Sequence, residues 1–346
     1  VTSDETILSE RLSALVRAFA GRRVVVVGDA VADQFVSCEI SRVSREAPVM
    51  IMRHERTETV PGGATNCAMN LASLGARASL VSVLGDDEPG RVLLSKLEAA
   101  GVETGGVFVS SELRTTTKVR FLGGLAHSRR QQVVRVDYEN EPLSPDADAA
   151  VASEVASRLR AACVGAEAVV VSDYNYGVAG GVVVEMLRDE LKDGGRPLLV
   201  DSRFRLPSFK GFTSATPNED EVEHWAGRPL NDAASLTESA ERLRTTLDLR
   251  ALLVTRGKNG ALLVEAGKRP FSIEAVGSHD AVDVTGAGDT VMAAYALALA
   301  SGASFEEAAR LANHAGGIAV LKRGTACVTA EELSASVFGR KGLHED

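Results

Sequence analysis

Arg22-Arg23-Val24-Val25-Val26-Val27-Gly28-Asp29 is the stretch on which the fold turns. Four consecutive valines leave no polar side, so a strand built from them is buried on both faces, and such strands belong mostly to parallel sheets. The pattern recurs. Ala168 to Val171 runs into Ser172-Asp173-Tyr174, Pro197 to Val200 into Asp201-Ser202-Arg203, and Leu252 to Val254 into Thr255-Arg256-Gly257. Helical periods lie between them, as over Ala149 to Arg160 and Ala234 to Thr245, and another, Ser3 to Ala20, precedes them and stops at Gly21. This alternation predicts an α/β fold: a doubly wound, mostly parallel sheet with helices on both faces.

Two segments break the rhythm, residues 34–60 and 115–138. They read as extended pieces, for example Pro48 to Arg56 and Gln132 to Tyr138. About four such strands would form a small β-sheet inserted beside the main one. Ligands of open α/β sheets sit beyond the carboxyl ends of the strands, so an inserted sheet above that edge would be a lid. No internal repeat or Pro/Ser-rich linker is visible, so residues 1–338 read as one domain and the polar residues 339–346 as a tail. On the lid strands Met50 and Met52 share one face, with Ile51 on the other; Val134 and Val136 lie opposite Val133 and Arg135. A small sheet can bury only one face against a site, so the apolar outer face predicts a homodimer through the lid.

The 346 residues are 45% hydrophobic and 25% charged, which is globular composition. With 38 Lys and Arg against 47 Asp and Glu, a net charge of −9 and 4% aromatics, the chain lacks the surface of a nucleic-acid binder. No apolar run approaches the ~18 residues of a membrane span, and no secretory signal opens the chain. A cytoplasmic protein is expected. Cys38, Cys67, Cys163 and Cys327 are scattered, as are the six His, so neither a disulfide framework nor a transition-metal site is indicated.

The strongest chemical signal is Asp280-Ala-Val-Asp-Val-Thr-Gly-Ala-Gly-Asp-Thr290, followed by an apolar helix. A glycine turn opening into a helix aims backbone N–H groups and the positive helix end at one point, an anion hole suited to phosphate. Asp289 would repel that phosphate unless it takes a proton from an attacking alcohol; the other reading is that it caps the helix. A second signal is Val60 to Ala76, where Gly62 and Gly63 permit close approach of a ligand and Asn66 offers donor and acceptor near a helix start; the other reading is a tight turn with an N-cap. The third is Thr216-Pro-Asn-Glu-Asp-Glu-Val222, whose acidic first turn suits either helix capping or Mg²⁺. No Walker-type phosphate loop exists.

Taken together, Gly28-Asp29 with Asp33, Pro61-Gly-Gly-Ala-x-Asn66, Thr216-Pro-Asn-Glu-x-Glu221 and Asp283-Val-Thr-Gly-Ala-Gly-Asp-Thr290 resemble the PfkB/ribokinase family of carbohydrate kinases, over about Arg23 to Ser334. Ser41 to Val49, Thr115 to Arg120 and Gln131 to Glu139 are similar to the kinase region of bacterial heptose 7-phosphate kinases. The resemblance implies a ribokinase-like fold and an ATP- and Mg²⁺-dependent kinase. Its acceptor would be a sugar or sugar phosphate, foremost the anomeric hydroxyl of a heptose 7-phosphate. Ribose, fructose, fructose 1-phosphate or a nucleoside are the alternatives, as is a non-catalytic sugar- or nucleotide-binding regulator. By resemblance, Asp289 is the base and Gly286, Ala287 and Gly288 form the anion hole. Asp29, Asp33, Gly62, Gly63, Asn66, Lys118, Arg120 and Asp173 would meet the sugar, and Arg42, Arg45 and Arg203 are further cations for its phosphate. Asn218 and Glu221 would order Mg²⁺ through water; Thr255, Gly257 and Asn313 would line the nucleotide pocket. Asp283 and Thr285 would offer backbone oxygens to K⁺. The chain departs from the heptose kinases at Tyr176 and Arg203, where lysines are expected. After the kinase-like region it is too short for the adenylyltransferase half that the bifunctional forms carry.

Overall fold

The computed structural model describes residues 3–125, 130–143, 149–191, 195–277, 281–322 and 324–339. The chain starts with α1 (Ser3–Arg17) and β1 (Arg23–Gly28), then passes through β2 (Ala30–Val43) and β3 (Met50–Gly63). It continues by α2 (Ala64–Ser73), β4 (Arg77–Gly85), α3 (Glu88–Ala99), β5 (Glu103–Ser110), β6 (Thr117–Gly124) and β7 (Gln131–Tyr138). Next come α4 (Ala149–Ala162), β8 (Ala168–Asp173), α5 (Gly181–Leu191), β9 (Leu198–Ser202), the short β10 (Ser214–Ala215), α6 (Glu219–Ala226), α7 (Ala233–Thr246) and β11 (Ala251–Thr255). The strands β12 (Ala261–Glu265) and β13 (Phe271–Ile273) precede α8 (Ala287–Ala300), α9 (Phe305–Ala319) and α10 (Ala330–Val337).

Nine strands form the main sheet in the order β13-β12-β11-β10-β9-β8-β1-β4-β5. Its ladders are parallel from β11 to β5. The valine run explains the layering, because successive side chains of a strand point to opposite faces. Val24 and Val26 enter one core with α2, α8 and α9; Val25 and Val27 enter a second with α4, α5 and α7. Ala168 and Val170 against Val169 and Val171, and Leu253 against Leu252 and Val254, split in the same way. Helices therefore cover both faces. The antiparallel edge, β11-β12-β13, was not foreseen. Only Arg256 to Gly260 join β11 to β12, too few residues for a crossover, so the chain must turn back on itself.

The second sheet has four strands in the order β3-β2-β6-β7. It begins earlier than residue 34 and ends later than 60, because the β2–β3 ladder extends to the pair Ala30 and Gly63, at the rim of the main sheet. Pleating separates its two faces. Lys118 pairs with Asp137 and Arg120 with Arg135 on one face; Val119 pairs with Val136 and Phe121 with Val134 on the other. Val36, Cys38 and Val119 make a small core there, joined by Met52 and Phe121. Val134 and Val136 remain 47% and 38% exposed, and Met50 is 46% exposed. Of the polar tail, residues 340–346 lie outside the described residues.

Candidate active site

The carboxyl ends of β8, β9, β10 and β11, the cavity face of the lid and the first turn of α8 enclose a cavity of about 460 Å³. Asp289 is central to it. Gly286 caps α8 with φ of 74° and no side chain caps that helix; the Ala287 amide donates to the Val284 carbonyl at 3.3 Å, while Gly286 and Gly288 line the cavity. A Cβ at Gly286 would lie 2.5 Å from Nδ2 of Asn66, so glycine is required by both the backbone and the neighbour. One turn into α8, Asp289 is only 3% exposed. Asn66 Nδ2 donates to its Oδ2 at 2.8 Å and the Tyr174 hydroxyl donates to its Oδ1 at 3.1 Å. Burial raises its pKa to about 7, opposed by those two hydrogen bonds. A carboxylate so placed can accept a proton near neutral pH.

Asn66 therefore holds Asp289 and does not line the cavity. Asp29 does not reach the cavity either. Its carboxylate accepts the backbone N–H groups of Tyr174, Tyr176 and Val178 at 2.7–3.1 Å, which ties the loop after β8 to the end of β1. Burial and the neighbouring Asp173 still raise its pKa to about 6. Asp173 touches the cavity, but its oxygens are taken by Arg205 (2.7 and 3.2 Å), by the Ser202 hydroxyl at 2.6 Å and by the Asn175 amide at 3.2 Å. Both acids build the wall. Of the three acids expected at the sugar, Asp33 keeps its carboxylate on the cavity, ion-paired to Arg120. Gly62 and Gly63 line the same wall. A Cβ at Gly62 would lie 2.5 Å from Asp33 Oδ2.

The cations sort clearly. Lys118, Arg120 and Arg203 line the cavity; Arg42 and Arg45 are exposed and do not. Arg135 of β7 joins them while holding Asp137 through two hydrogen bonds at 2.8 and 2.7 Å. Lys118 stands 5.7 Å from the centre of the Tyr176 ring and Arg203 5.6 Å from that of Tyr174. Desolvation, and then Arg203, lowers the Lys118 pKa.

Asn218 and Glu221 form a reciprocal cap on α6: the Glu221 amide donates to Asn218 Oδ1 at 2.8 Å, and the Asn218 amide donates to Glu221 Oε2 at 2.9 Å. The two readings of this segment are compatible, since both residues also line the cavity. Asp201, at the end of β9, joins them and was missed in the sequence. Burial, then Glu221 and Asp289, pushes its carboxyl well up; burial also raises Glu221. Beside them the Thr216 hydroxyl is buried without a hydrogen-bond partner. Two carboxylates disfavoured as neighbouring anions, with an unpaired hydroxyl, suit a hard divalent cation that keeps most of its waters. Among the described residues no group of three His, Cys, Asp or Glu could hold a metal.

A second cavity of about 210 Å³ shares Thr255, Val284 and Gly288 with the first. Gly257 and Asn313 line it, with Leu253, Ala275, Val276, Val291 and Val320 forming apolar walls. It is an apolar slot that meets the larger cavity at the α8 turn. Asp283 accepts the amides of Thr285 at 2.9 Å and Gly324 at 3.0 Å, so its carboxylate organises the loop before α8. Asp280 lies outside the described residues. Tyr174 could have been suspected from Ser172-Asp173-Tyr174 and Asp201 from Val200-Asp201, since each sits at a buried strand's carboxyl end.

No helix among the described residues is long and apolar enough to cross a membrane. Residues 22–331 match the pfkB family carbohydrate kinase family. The chain is 41% identical over 320 residues to a D-beta-D-heptose 7-phosphate kinase of Bordetella bronchiseptica, covering 91% of this chain and 96% of that one. It is 37% identical to a bifunctional protein HldE of Desulfatibacillum aliphaticivorans and 40% to one of Caulobacter vibrioides, covering 93% and 97% of this chain. It spans 64% and 67% of those two proteins' lengths. In fold it is similar to phosphofructokinase-2 from Escherichia coli in complex with potassium (TM-score 0.73, 20% identity, 92% and 99% of the two chains). Ribokinase of Arabidopsis thaliana complexed with ribose and ATP gives 0.69, 21% identity and the same coverages. With a ribokinase-like sheet, a lid and a buried carboxylate at an uncapped glycine turn, the chain belongs to the pfkB family of carbohydrate kinases.

Proposed function

We propose that this sugar kinase transfers the γ-phosphate of ATP to the anomeric hydroxyl of a heptose 7-phosphate. The observation that carries the acceptor class is the pair Lys118 and Arg203. Both line the Asp289 cavity, and neither has a carboxylate ion-pair partner among the described residues. A net charge of −9 makes four cations at one cavity a local feature that a neutral sugar does not need. The name of the Bordetella relative supports the same acceptor.

In this reading the sugar lies between Asp33, Gly62 and Asp289. Asp289 takes the hydroxyl proton as the sugar oxygen attacks the γ-phosphorus. The bond from that phosphorus to the β–γ bridging oxygen breaks, and ADP leaves with the electron pair. The amides of Gly286 to Gly288 receive the charge on the transferring phosphoryl group, and Asn66 and Tyr174 fix the base. The purine occupies the apolar slot beside Thr255, Gly257 and Asn313. Asp201, Glu221, Asn218 and Thr216 would hold Mg²⁺ and its waters, which supply charge neutralisation at the phosphates. A K⁺ at Asp283 and Thr285 would rest on backbone oxygens, because the Asp283 carboxylate already accepts two amides. The apolar outer face of the lid, with Val134 and Val136 exposed, would pair with a second copy. An ATP-consuming enzyme of this kind works in the cytoplasm.

Coupled ADP release tests the acceptor, using matched neutral and phosphorylated sugars. Preference for a heptose 7-phosphate is expected. Turnover confined to neutral sugars would leave the family and remove the acceptor.

A further inference from the structure

We propose that Arg120 is a latch on Asp33, released only by an acceptor that carries its own anion. The inference rests on the sugar-phosphate reading of this cavity. Arg120 Nη1 donates to Asp33 Oδ1, with the two side chains only 15% and 8% exposed. No other donor reaches the Asp33 carboxylate among the described residues. One oxygen of the acid expected to bind sugar hydroxyls is thus already engaged, and the other lies against the Gly62 backbone.

The pair is built to open at the arginine end. Asp33 Oδ2 packs against the Gly62 backbone, leaving the carboxylate little room to swing. Arg120 projects from the neighbouring strand, where Phe35 is its register partner, and its guanidinium lies 5.4 Å from the Phe35 ring centre. It borders both the Asp289 cavity and a larger, 980 Å³ cavity under the lid, so it has space to move into. The contrast with Arg205 is instructive. That guanidinium holds Asp173 through two hydrogen bonds and the Ala179 carbonyl through a third, as a structural pair should. Arg120 makes one hydrogen bond to Asp33 and leaves the rest of its donor fork free.

A phosphate offers a guanidinium two parallel charge-assisted hydrogen bonds, better than the single bond it has. Once Arg120 turns to the phosphate, Asp33 is free to accept a sugar hydroxyl. A neutral sugar brings hydroxyls but nothing to compete for Arg120, and finds Asp33 Oδ1 held. Discrimination between sugars and sugar phosphates then comes from two linked contacts instead of one.

Inorganic phosphate is the probe, titrated calorimetrically into the intact chain without sugar. Asp33→Asn is expected to tighten phosphate about 10-fold, Arg120→Gln to weaken it about 10-fold, and the double variant to lose the gain, since that gain acts through Arg120. A gain that survives in the double variant would reflect only removal of a negative charge and would overturn the latch. So would unchanged phosphate affinity in Asp33→Asn. With sugars, Arg120→Gln should weaken a sugar phosphate about 10-fold while the matched neutral sugar binds more tightly; equal weakening of both sinks the proposal. Thermal unfolding of each variant shows that it is folded. The acceptor reading fails on a different result, wild-type preference for neutral sugars, so the two failures are distinct.

Discussion

The starts of α6, α7, α9 and α10 differ from those of α2 and α8. The first four each carry a reciprocal cap: Asn218 with Glu221, Asp232 with Ser235, Ser304 with Glu307, and Thr329 with Glu332. The other two open on Gly63 and Gly286, both at positive φ and without any side-chain cap. A cap satisfies amides that would otherwise lack partners and is worth about 1 kcal/mol. Forgoing it twice costs stability: the Ala64 and Ala287 amides turn instead to the Asp29 and Val284 carbonyls, and the two glycines themselves border the cavity. Of these six starts, those closed by a reciprocal side-chain cap hold the fold, and those opened by glycine border the cavity. The α6 start does both, since its capping glutamate also borders the cavity.

The largest effect should come from the acid in the uncapped turn. Asp289→Asn is expected to lower turnover by roughly 10²–10⁴-fold with ATP binding retained. More than about a tenth of wild-type kcat would remove Asp289 from the role of base. The same variant should be more stable than wild type at pH 8. The folded carboxyl has its pKa raised from 3.8 to about 7, so wild-type stability declines as pH rises through that window. The advantage should vanish near pH 4, and thermal melts across that range would show it.

Gly286→Ala comes next. The added methyl meets Asn66 Nδ2 and the left-handed backbone strains by about 1 kcal/mol or more. A fall in kcat of at least roughly 10-fold is expected, because Asn66 holds the base within hydrogen-bond reach; near-normal kinetics would mean that the bare start is incidental. Glu221→Gln, on the start that serves both purposes, should raise the Mg²⁺ needed for half-maximal rate by roughly 10-fold. Unchanged Mg²⁺ dependence would return that glutamate to capping alone. Tyr174→Phe should move the acid limb of kcat/KM to higher pH. Losing a bond of about 1 kcal/mol to the charged form raises the base's pKa by roughly 0.7 unit. A shift the other way would contradict the proton's assigned direction. Ser304→Ala, on a finished start, should cost about 1 kcal/mol of stability and leave kinetics unaltered.

The same contrast explains what could be read from sequence. Buried strands announce themselves locally, because Val24 to Val27 can only sit between two cores. The turn before α8 and the cap on α6 were legible for the same reason, each being a few adjacent residues with one local geometry. Partnerships between distant residues are what could not be read. Asp29 looked like a sugar ligand, but its carboxylate is spent on amides about 145 residues away. Asn66 looked outward from a helix start, but it turns to Asp289, 223 residues on. Tyr174 and Asp201 acquire their character only from neighbours that folding supplies. A polar residue's type says what it can bond, while the partner it finds is decided by topology.

One feature of the main sheet bears on how the chain reaches this state. The central strand β1 is flanked by β4, beginning at Arg77, and by β8, beginning at Ala168. During synthesis Val24 to Val27 emerge early, yet one of their two edges stays unpaired until well over a hundred further residues have followed. Such late, non-local pairing makes folding slow and exposes an apolar edge meanwhile. Asp289 arrives later still, after the last strand, so every shorter nascent chain lacks the buried carboxylate of the α8 turn. Refolding from denaturant should accordingly recover helical signal well before phosphotransfer, and losses to aggregation should fall when the protein is diluted.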